Sequence, residues 1–263
     1  VACVQFSGGS VWIGLLGALV IGALYSAIFG LFVTKFKADN IIASLAMNTL
    51  GAGLTSYLLR AMFDVQGAYA PDNIEKLSMI EIPIIKDIPI LNCISGQSIV
   101  TYFAVILMVA IYIMLFKTKT GLGICAVGES DVAARTAGIK PEIVKWKVVL
   151  LSGALSGLAG AYLSIISVSQ FSEDMVQGRG FTAFTIYVFG ASHPIYASLV
   201  SLLFGLAEAV GIRIELLGLS IPPAIIDMFP YMLAIAALAV SSYVRKRKVQ
   251  GVVKVKKKKE KLA

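Results

Sequence analysis

Long uncharged apolar runs alternate with short polar stretches along this chain. The pattern predicts membrane-spanning helices over about Val11–Val33, Ile41–Leu59, Ile99–Phe116, Val148–Val168, Ile195–Gly211 and Ile225–Val244. Each run is close to the ~20 residues that a helix needs to cross a bilayer, and none alternates with the period of two of a membrane strand. Phe181–Gly190 is apolar but too short for an ordinary span, and Pro194 closes it. It reads as a half-helix, a re-entrant segment or one arm of a broken helix, forms tolerated only when buried in protein or lining a cavity. The expected fold class is all-α, a polytopic transmembrane helical bundle. Counting the short segment as a crossing, there are about seven.

Within the spans, the polar and small positions fall on faces. Ala18, Gly22, Ser26 and Gly30 recur every fourth residue, a stripe that lets another helix approach closely. Ser152, Ser156, Gly160 and Ser164 do the same in the fourth span, with Gly153 and Gly157 beside them. The second span carries Ser44, Asn48, Ala52 and Ser56 on one face. Asn48 at membrane depth is costly unless it bonds across helices or faces water. Glu208 lies inside an apolar run and Asp227 just beyond the Pro222-Pro223 turn. Such acids line a polar path, pair between helices, or snorkel to a boundary.

The longest-structured polar interruption is Gly128–Ile139, GESDVAARTAGI. It predicts a short helix over Ser130–Ala137. Ser130 or Asp131 can cap its start, Gly138 can end it in the left-handed conformation, and Pro141 prevents its resumption. Lys117, Lys119, Lys140, Lys145 and Lys147 flank it. A structured polar helix between two spans reads either as a docking element for a soluble partner or as an ordinary amphipathic loop.

Composition agrees with a membrane protein: 58% of the 263 residues are hydrophobic and 14% charged, against roughly a quarter charged in soluble domains. All but five of the 23 basic residues fall in 34–40, 117–147 and 245–263. The positive-inside rule places these segments, including the C-terminus, in the cytoplasm, and leaves Arg60, Lys76, Lys86, Arg179 and Arg213 on the other side. The loop 60–98 also holds Asp64, Asp72, Glu75, Glu81 and Asp87. Val1 then starts outside, close to an apolar run and without a basic start or a cleavage site, so the chain reads as one that lacks upstream helices. The net charge of +8 is accounted for by a basic tail beside anionic lipid, and no aromatic interleaves residues 245–263 as a nucleic-acid surface would require. Cys3, Cys93 and Cys125 form no metal-ligand pattern, although Cys3 and Cys93 can meet outside. The only histidine, His193, sits beside Pro194 without a ligand partner, and no phosphate loop, G-x-S-x-G or H-E-x-x-H is present. The chain is therefore read as non-catalytic, with no cofactor and no metal site.

GESDVAARTAGI, Lys145–Lys147 and LSGALSGLAGAYLS (151–164) together resemble the inner-membrane permease subunits of bacterial ABC importers for simple sugars, nucleosides and branched-chain amino acids. That family has G-E-N-P-x-A-A-x-x-x-G-I followed by a glycine-rich S-G-x-x-A-G-L-A-G helix. Gly128, Glu129, Ala133, Ala134, Gly138, Ile139, Ser152, Gly153, Gly157, Leu158, Ala159 and Gly160 keep the pattern, while Ser130 and Asp131 replace Asn-Pro and Ser156 replaces Ala. GRGF (178–181), Gly190 with Pro194, FG (204–205), IPP (221–223) and PY (230–231) follow in the family's order. DNIIASLAMN (39–48) resembles N-E-I-I-x-x-L-x-L-N, with Asn40 in place of Glu.

The resemblance implies half of a translocation unit, pairing with a second permease subunit, identical or paralogous, in the lipid membrane. It implies that a separate ABC ATPase subunit docks on the cytoplasmic helix, through Gly128, Glu129, Ser130, Asp131, Ala133, Ala134, Arg135 and Gly138. An extracytoplasmic substrate-binding protein would deliver solute to loops 60–98 and 169–181. Polarity at membrane depth, with the family pattern, places Asn48, Gln170, Phe171 and Glu208 on or near the path. Residues 1–244 form the permease domain, with a coupling loop at 117–147, and 245–263 the cytoplasmic tail. The form of the motifs is most like the nucleoside and simple-sugar branch; the branched-chain amino-acid branch is the alternative. A secondary transporter would show paired broken helices in two halves, and only Phe181–Gly190 is of that kind.

Overall fold

In the computed structural model, the residues described are 1–6, 8–71, 79–80, 96–217, 228 and 232. They form α1 (Ala2–Phe6), α2 (Val11–Gly30), α3 (Asn40–Phe63), α4 (Ile99–Lys117), α5 (Lys119–Glu129), α6 (Asp131–Thr136), α7 (Pro141–Ala161), α8 (Arg179–Phe189) and α9 (Pro194–Leu216). α2 and α7 each run on through a wider π-type turn, Leu31–Lys35 and Tyr162–Ser167. The only strands among these residues are two-residue ribbons: β1 (Ala68–Tyr69) pairs antiparallel with β4 (Phe171–Ser172), and β2 (Met79–Ile80) with β3 (Gln97–Ser98). Five of the described helices are long and apolar enough to cross a membrane: Val11–Lys35, Asn40–Phe63, Ile99–Lys117, Pro141–Ser167 and Pro194–Ile214. The architecture is an all-α, polytopic helical one. The expected span Ile225–Val244, Asp227, the Pro222-Pro223 turn, Cys93 and the basic tail lie outside the described residues.

The chain divides into two units, Val1–Gln177 and Gly178–Ala263. The first is organised on an antiparallel seam between α2 and α7. A Cβ on Gly22 would lie 2.4 Å from the Gly153 carbonyl oxygen, and one on Gly157 would lie 2.2 Å from that of Ala18. The Ser26 hydroxyl fills the place that a side chain at Gly153 would need, 2.1 Å from its Cβ position. The two backbones therefore touch, and packing rather than side-chain volume holds them. At one end of the seam Val4, Val11, Leu15, Ala161 and Ile165 close a small core around α1; at the other, Trp146 and Val149 pack on Gly30.

The α2 stripe packs closely on another helix as expected, and its partner is the glycine pair beside the serine stripe of α7. Gly153 and Gly157 meet α2, whereas Ser152, Ser156 and Gly160 of the serine stripe are exposed and Ser164 is buried. The physical reason is rotation: neighbouring residues stand about 100° apart on a helix, so the face that sets Gly153 and Gly157 against α2 turns Ser152 and Ser156 away from it. The helix also begins earlier than the apolar run suggests, at Pro141 instead of Val148. Proline is tolerated at a first helical position, so Pro141 opens α7 as well as ending what precedes it.

α3 is entered through Asp39, whose carboxylate accepts from the Ile41 and Ile42 N–H groups at 2.8 and 3.1 Å. It leans on α2 through Tyr25, whose hydroxyl donates to the Met47 carbonyl and lies against Gly51. Beyond α3, the β1–β4 ribbon ties its C-terminal end to the segment after α7. An Arg60–Glu173 ion pair at 3.6 Å and stacking of Phe63 on Tyr69 reinforce that tie.

In the second unit the short apolar segment is a real helix, α8, of 11 residues. Gly178 precedes it with φ 74°. Gly190 ends it where a Cβ would stand 2.6 Å from the Ala197 Cα, so only glycine fits. Ala191 and Ser192 take positive φ, 49° and 58°, and the Ser192 hydroxyl donates to the Tyr187 hydroxyl at 2.9 Å. Pro194 opens α9 at once. His193 sits in this turn with its ring against Tyr196.

Candidate functional site

Between the spans α4 and α7 the chain folds into a polar unit of α5 and α6. Thr118 makes the corner: its hydroxyl donates to the Met114 carbonyl at 2.6 Å and accepts from the Gly121 N–H at 3.2 Å. A Cβ on Gly121 would lie 2.0 Å from the Met114 carbonyl oxygen, so the turn is too tight for another residue. α5 was not separable from its surroundings in the sequence pattern, because Lys119–Glu129 mixes apolar and polar residues.

Ser130 breaks α5 from α6 in extended backbone, and its side chain accepts from the Ala133 N–H at 3.3 Å. The cap is thus Ser130, and Asp131 is free to act as the first helical residue. At the far end the Gly138 N–H donates to the Arg135 carbonyl and the Ile139 N–H to the Ala134 carbonyl, both at 3.0 Å. Gly138 has φ 81°. Both bonds and the left-handed glycine are those of a Schellman stop. The expected short helix is therefore present, with six helical residues.

Two ion pairs tie α6 to the first turns of α7: Asp131 with Lys145, and Arg135 with Glu142. Asp131 at the start of α6, Arg135 in its last turn and Glu142 at the start of α7 each also complement a helix dipole. Ala134 is only 1% exposed, and Val127 and Pro141 are buried too. Ala134 thus fixes the inner side of α6, while Gly128, Glu129, Ala133, Arg135 and Gly138 are exposed. Val132 is 74% exposed. Two residues of helix turn by about 200°, so Val132 points away from Ala134. Sequence reading passed over Val132; an apolar residue placed opposite the small Ala134 on an otherwise polar helix is the signal that marks it.

Of the four residues expected along a path, Asn48, Gln170 and Phe171 belong to the first unit and Glu208 to the second. Asn48 lies on the exposed face of α3 with Ser44 and Ala52, without a hydrogen-bond partner among the described residues. Phe171 is in the β1–β4 ribbon and Gln170 just before it, at the C-terminal end of α3. The 15 residues from Asn48 to Phe63 amount to roughly 22 Å of helix. Glu208 belongs to the second unit, where it pairs with Arg179 at 2.8 Å and joins α9 to the start of α8. Among the described residues no three His, Cys, Asp or Glu side chains gather as a metal site would need.

Residues 1–238 match the family model described as branched-chain amino acid transport system / permease component. The chain is 34% identical over 241 residues to a guanosine ABC transporter permease protein of Bacillus subtilis, covering 89% of this chain and 74% of that protein. It is 31% identical over 239 residues to a nucleoside ABC transporter permease protein of Lactococcus lactis subsp. cremoris, again covering 89% and 74%. A glucose ABC transporter permease protein of Haloferax volcanii is 28% identical over 243 residues, 89% of this chain and 62% of that protein. No solved structure matches. A polytopic helical bundle, interrupted by a capped polar helix and related along most of its length to nucleoside and sugar permeases, belongs to the ABC transporter permease family of that model.

Proposed function

We propose that this chain is the membrane half of an ATP-driven importer for nucleosides or simple sugars, with α6 as the element on which a separate ABC ATPase subunit docks. The observation that carries this reading is the form of α6: capped at both ends, tied to α7 and presenting Val132 outward at 74% exposure. A large aliphatic side chain is stabilised when buried, by about 1.5–3 kcal/mol, so its display on a polar helix suits a knob that enters a partner's socket. Lys117, Lys119, Lys140, Lys145 and Lys147 around it favour the cytoplasmic side, and the basic residues of 245–263 favour the same side for the C-terminal tail.

In this reading ATP binding draws two ATPase subunits together, and α6 carries the motion into the bundle. A second permease subunit covers surface that this chain leaves exposed, and an extracytoplasmic binding protein delivers solute at the ribbon end. The path opens alternately to the two sides because its two states differ in affinity for solute and ATPase. Asn48, Gln170, Phe171 and Glu208 are assigned to the path or its mouth. Asn48 fits best, since an unpartnered amide at membrane depth must find a watery or polar neighbour.

The relatives favour nucleosides or sugars, while the description of the matching family favours branched-chain amino acids. Uptake of labelled guanosine, glucose and leucine by cells that express the chain with its ATPase and binding protein separates these. Guanosine or glucose uptake that depends on the chain supports the first reading; leucine uptake alone replaces it with the second. Docking is tested by co-purification: Glu129→Arg and Val132→Asp should release the ATPase while the permease stays in the membrane. An ATPase retained by both variants rejects α6 as its seat.

A further inference from the structure

A six-residue helix does not hold its own orientation, because so short a segment is not stable alone. Three things hold α6. Ser130 and Gly138 shape its ends, and Ala134 anchors its inner side. None of these fixes its tilt against α7. Two ion pairs do, and they are nested, like two rungs across the hairpin that α6 and α7 form. Asp131, at the start of α6, reaches Lys145 in the second turn of α7, while Arg135, one turn later, reaches Glu142 in the first turn. Rolling or tilting α6 on α7 breaks one pair or both.

From there the route inward is stiff. α7 carries Trp146 and Val149 onto Gly30, then meets α2 backbone to backbone at Gly153 and Gly157. Exposed ion pairs add little to stability, so two of them at opposite ends of a short helix are better suited to setting an angle than to holding a fold. We propose that Glu142 and Lys145 are positioning residues. They lock α6 to α7, so that a push on α6 moves the α2–α7 pair as one body instead of being absorbed at the turn 137–140. This rests on the reading that α6 seats an ATPase subunit.

The test uses the assembled transporter, with its ATPase and binding protein, in lipid vesicles, with labelled guanosine and labelled glucose as probes. Three quantities are read: the ATPase retained on the purified complex, its melting temperature and the solute moved per ATP hydrolysed. Glu142→Arg or Lys145→Glu should leave the ATPase bound and the melting temperature little changed, and lower solute per ATP about threefold. Both together should lower it about tenfold if the pairs act independently. Glu142→Asp and Lys145→Arg, which keep each charge and leave α6 untouched, should hold the ratio to within about twofold. Glu142→Gln and Lys145→Gln serve as milder variants should charge reversal impair insertion. An unchanged ratio in the double variant, or an equal loss in the charge-keeping variants, overturns the proposal. Loss of the ATPase itself from Glu142→Arg also overturns it, since the pair would then form part of the seat and not of the linkage. Release or retention of the ATPase by Val132→Asp bears on the seat alone, so the two readings fail separately.

Discussion

On α2, Ala18, Gly22 and Ser26 repeat every fourth residue and meet α7 backbone to backbone; on α3, Ser44, Asn48 and Ala52 repeat at the same interval and stay exposed in this chain. Spacing is shared, so spacing does not decide which face packs. The difference lies in the partner. α7 offers Gly153 and Gly157, which remove the volume that would hold α2 away, and nothing in the described chain offers that to α3. α3 also carries an amide where α2 carries only small side chains. A seam without polar demands can close within one subunit; a face with Asn48 waits for a partner that can satisfy it.

The largest effect should come from breaking the seam. Gly157→Leu places side-chain atoms where even a Cβ would lie 2.2 Å from the Ala18 carbonyl oxygen. The backbones must part, at a cost of ~3 kcal/mol or more. The check is a thermal melt of the detergent-purified protein, expected to show a much lower midpoint or no folded material. A midpoint close to that of the wild type would mean that the two helices do not touch there.

Next in size is Asn48→Leu on the other face. Stability should be unchanged or slightly raised, because an apolar side chain suits lipid better, while uptake falls about tenfold if the amide contacts solute or path water. Uptake assays at matched membrane levels decide, and undiminished uptake would make the α3 face a mere packing surface. Smaller again is Arg179→Gln, which leaves Glu208 without the partner 2.8 Å away that joins α8 to α9. The expected loss is ~1 kcal/mol, read in the same melt, and Glu208→Gln made together with it should recover most of that loss. Smallest is Gly160→Ala, a control within α7: nothing lies within 4 Å of a Cβ there. Its effect should stay within about 0.5 kcal/mol.

The sequence alone disclosed what depends on local chemistry. Ser130 or Asp131 and Gly138 marked the ends of α6 because caps are short-range devices, and the α2 stripe followed from its interval. It did not disclose what depends on a neighbour. The choice of Gly153 and Gly157 over Ser152 and Ser156 needs the shape of α2. The start of α7 at Pro141 is masked by Lys145 and Lys147, which are acceptable on a helix whose other side carries Trp146. The pairing of Glu208 with Arg179, and of Asp131 with Lys145, joins residues far apart in the chain. Val132 was hidden for another reason: an apolar residue in a helix is ordinarily read as buried, and its exposure is visible only once Ala134 is seen to take the inner side.

The central claim, that α6 is gripped by an ATPase subunit, is tested most directly by a photo-reactive amino acid at position 132 in cells that express the whole transporter. The account predicts a light-dependent covalent adduct between this chain and the ATPase, and none when the same probe replaces Tyr69 in the ribbon at the opposite end of α3. An adduct with the ATPase from position 69 and not from 132 would contradict it.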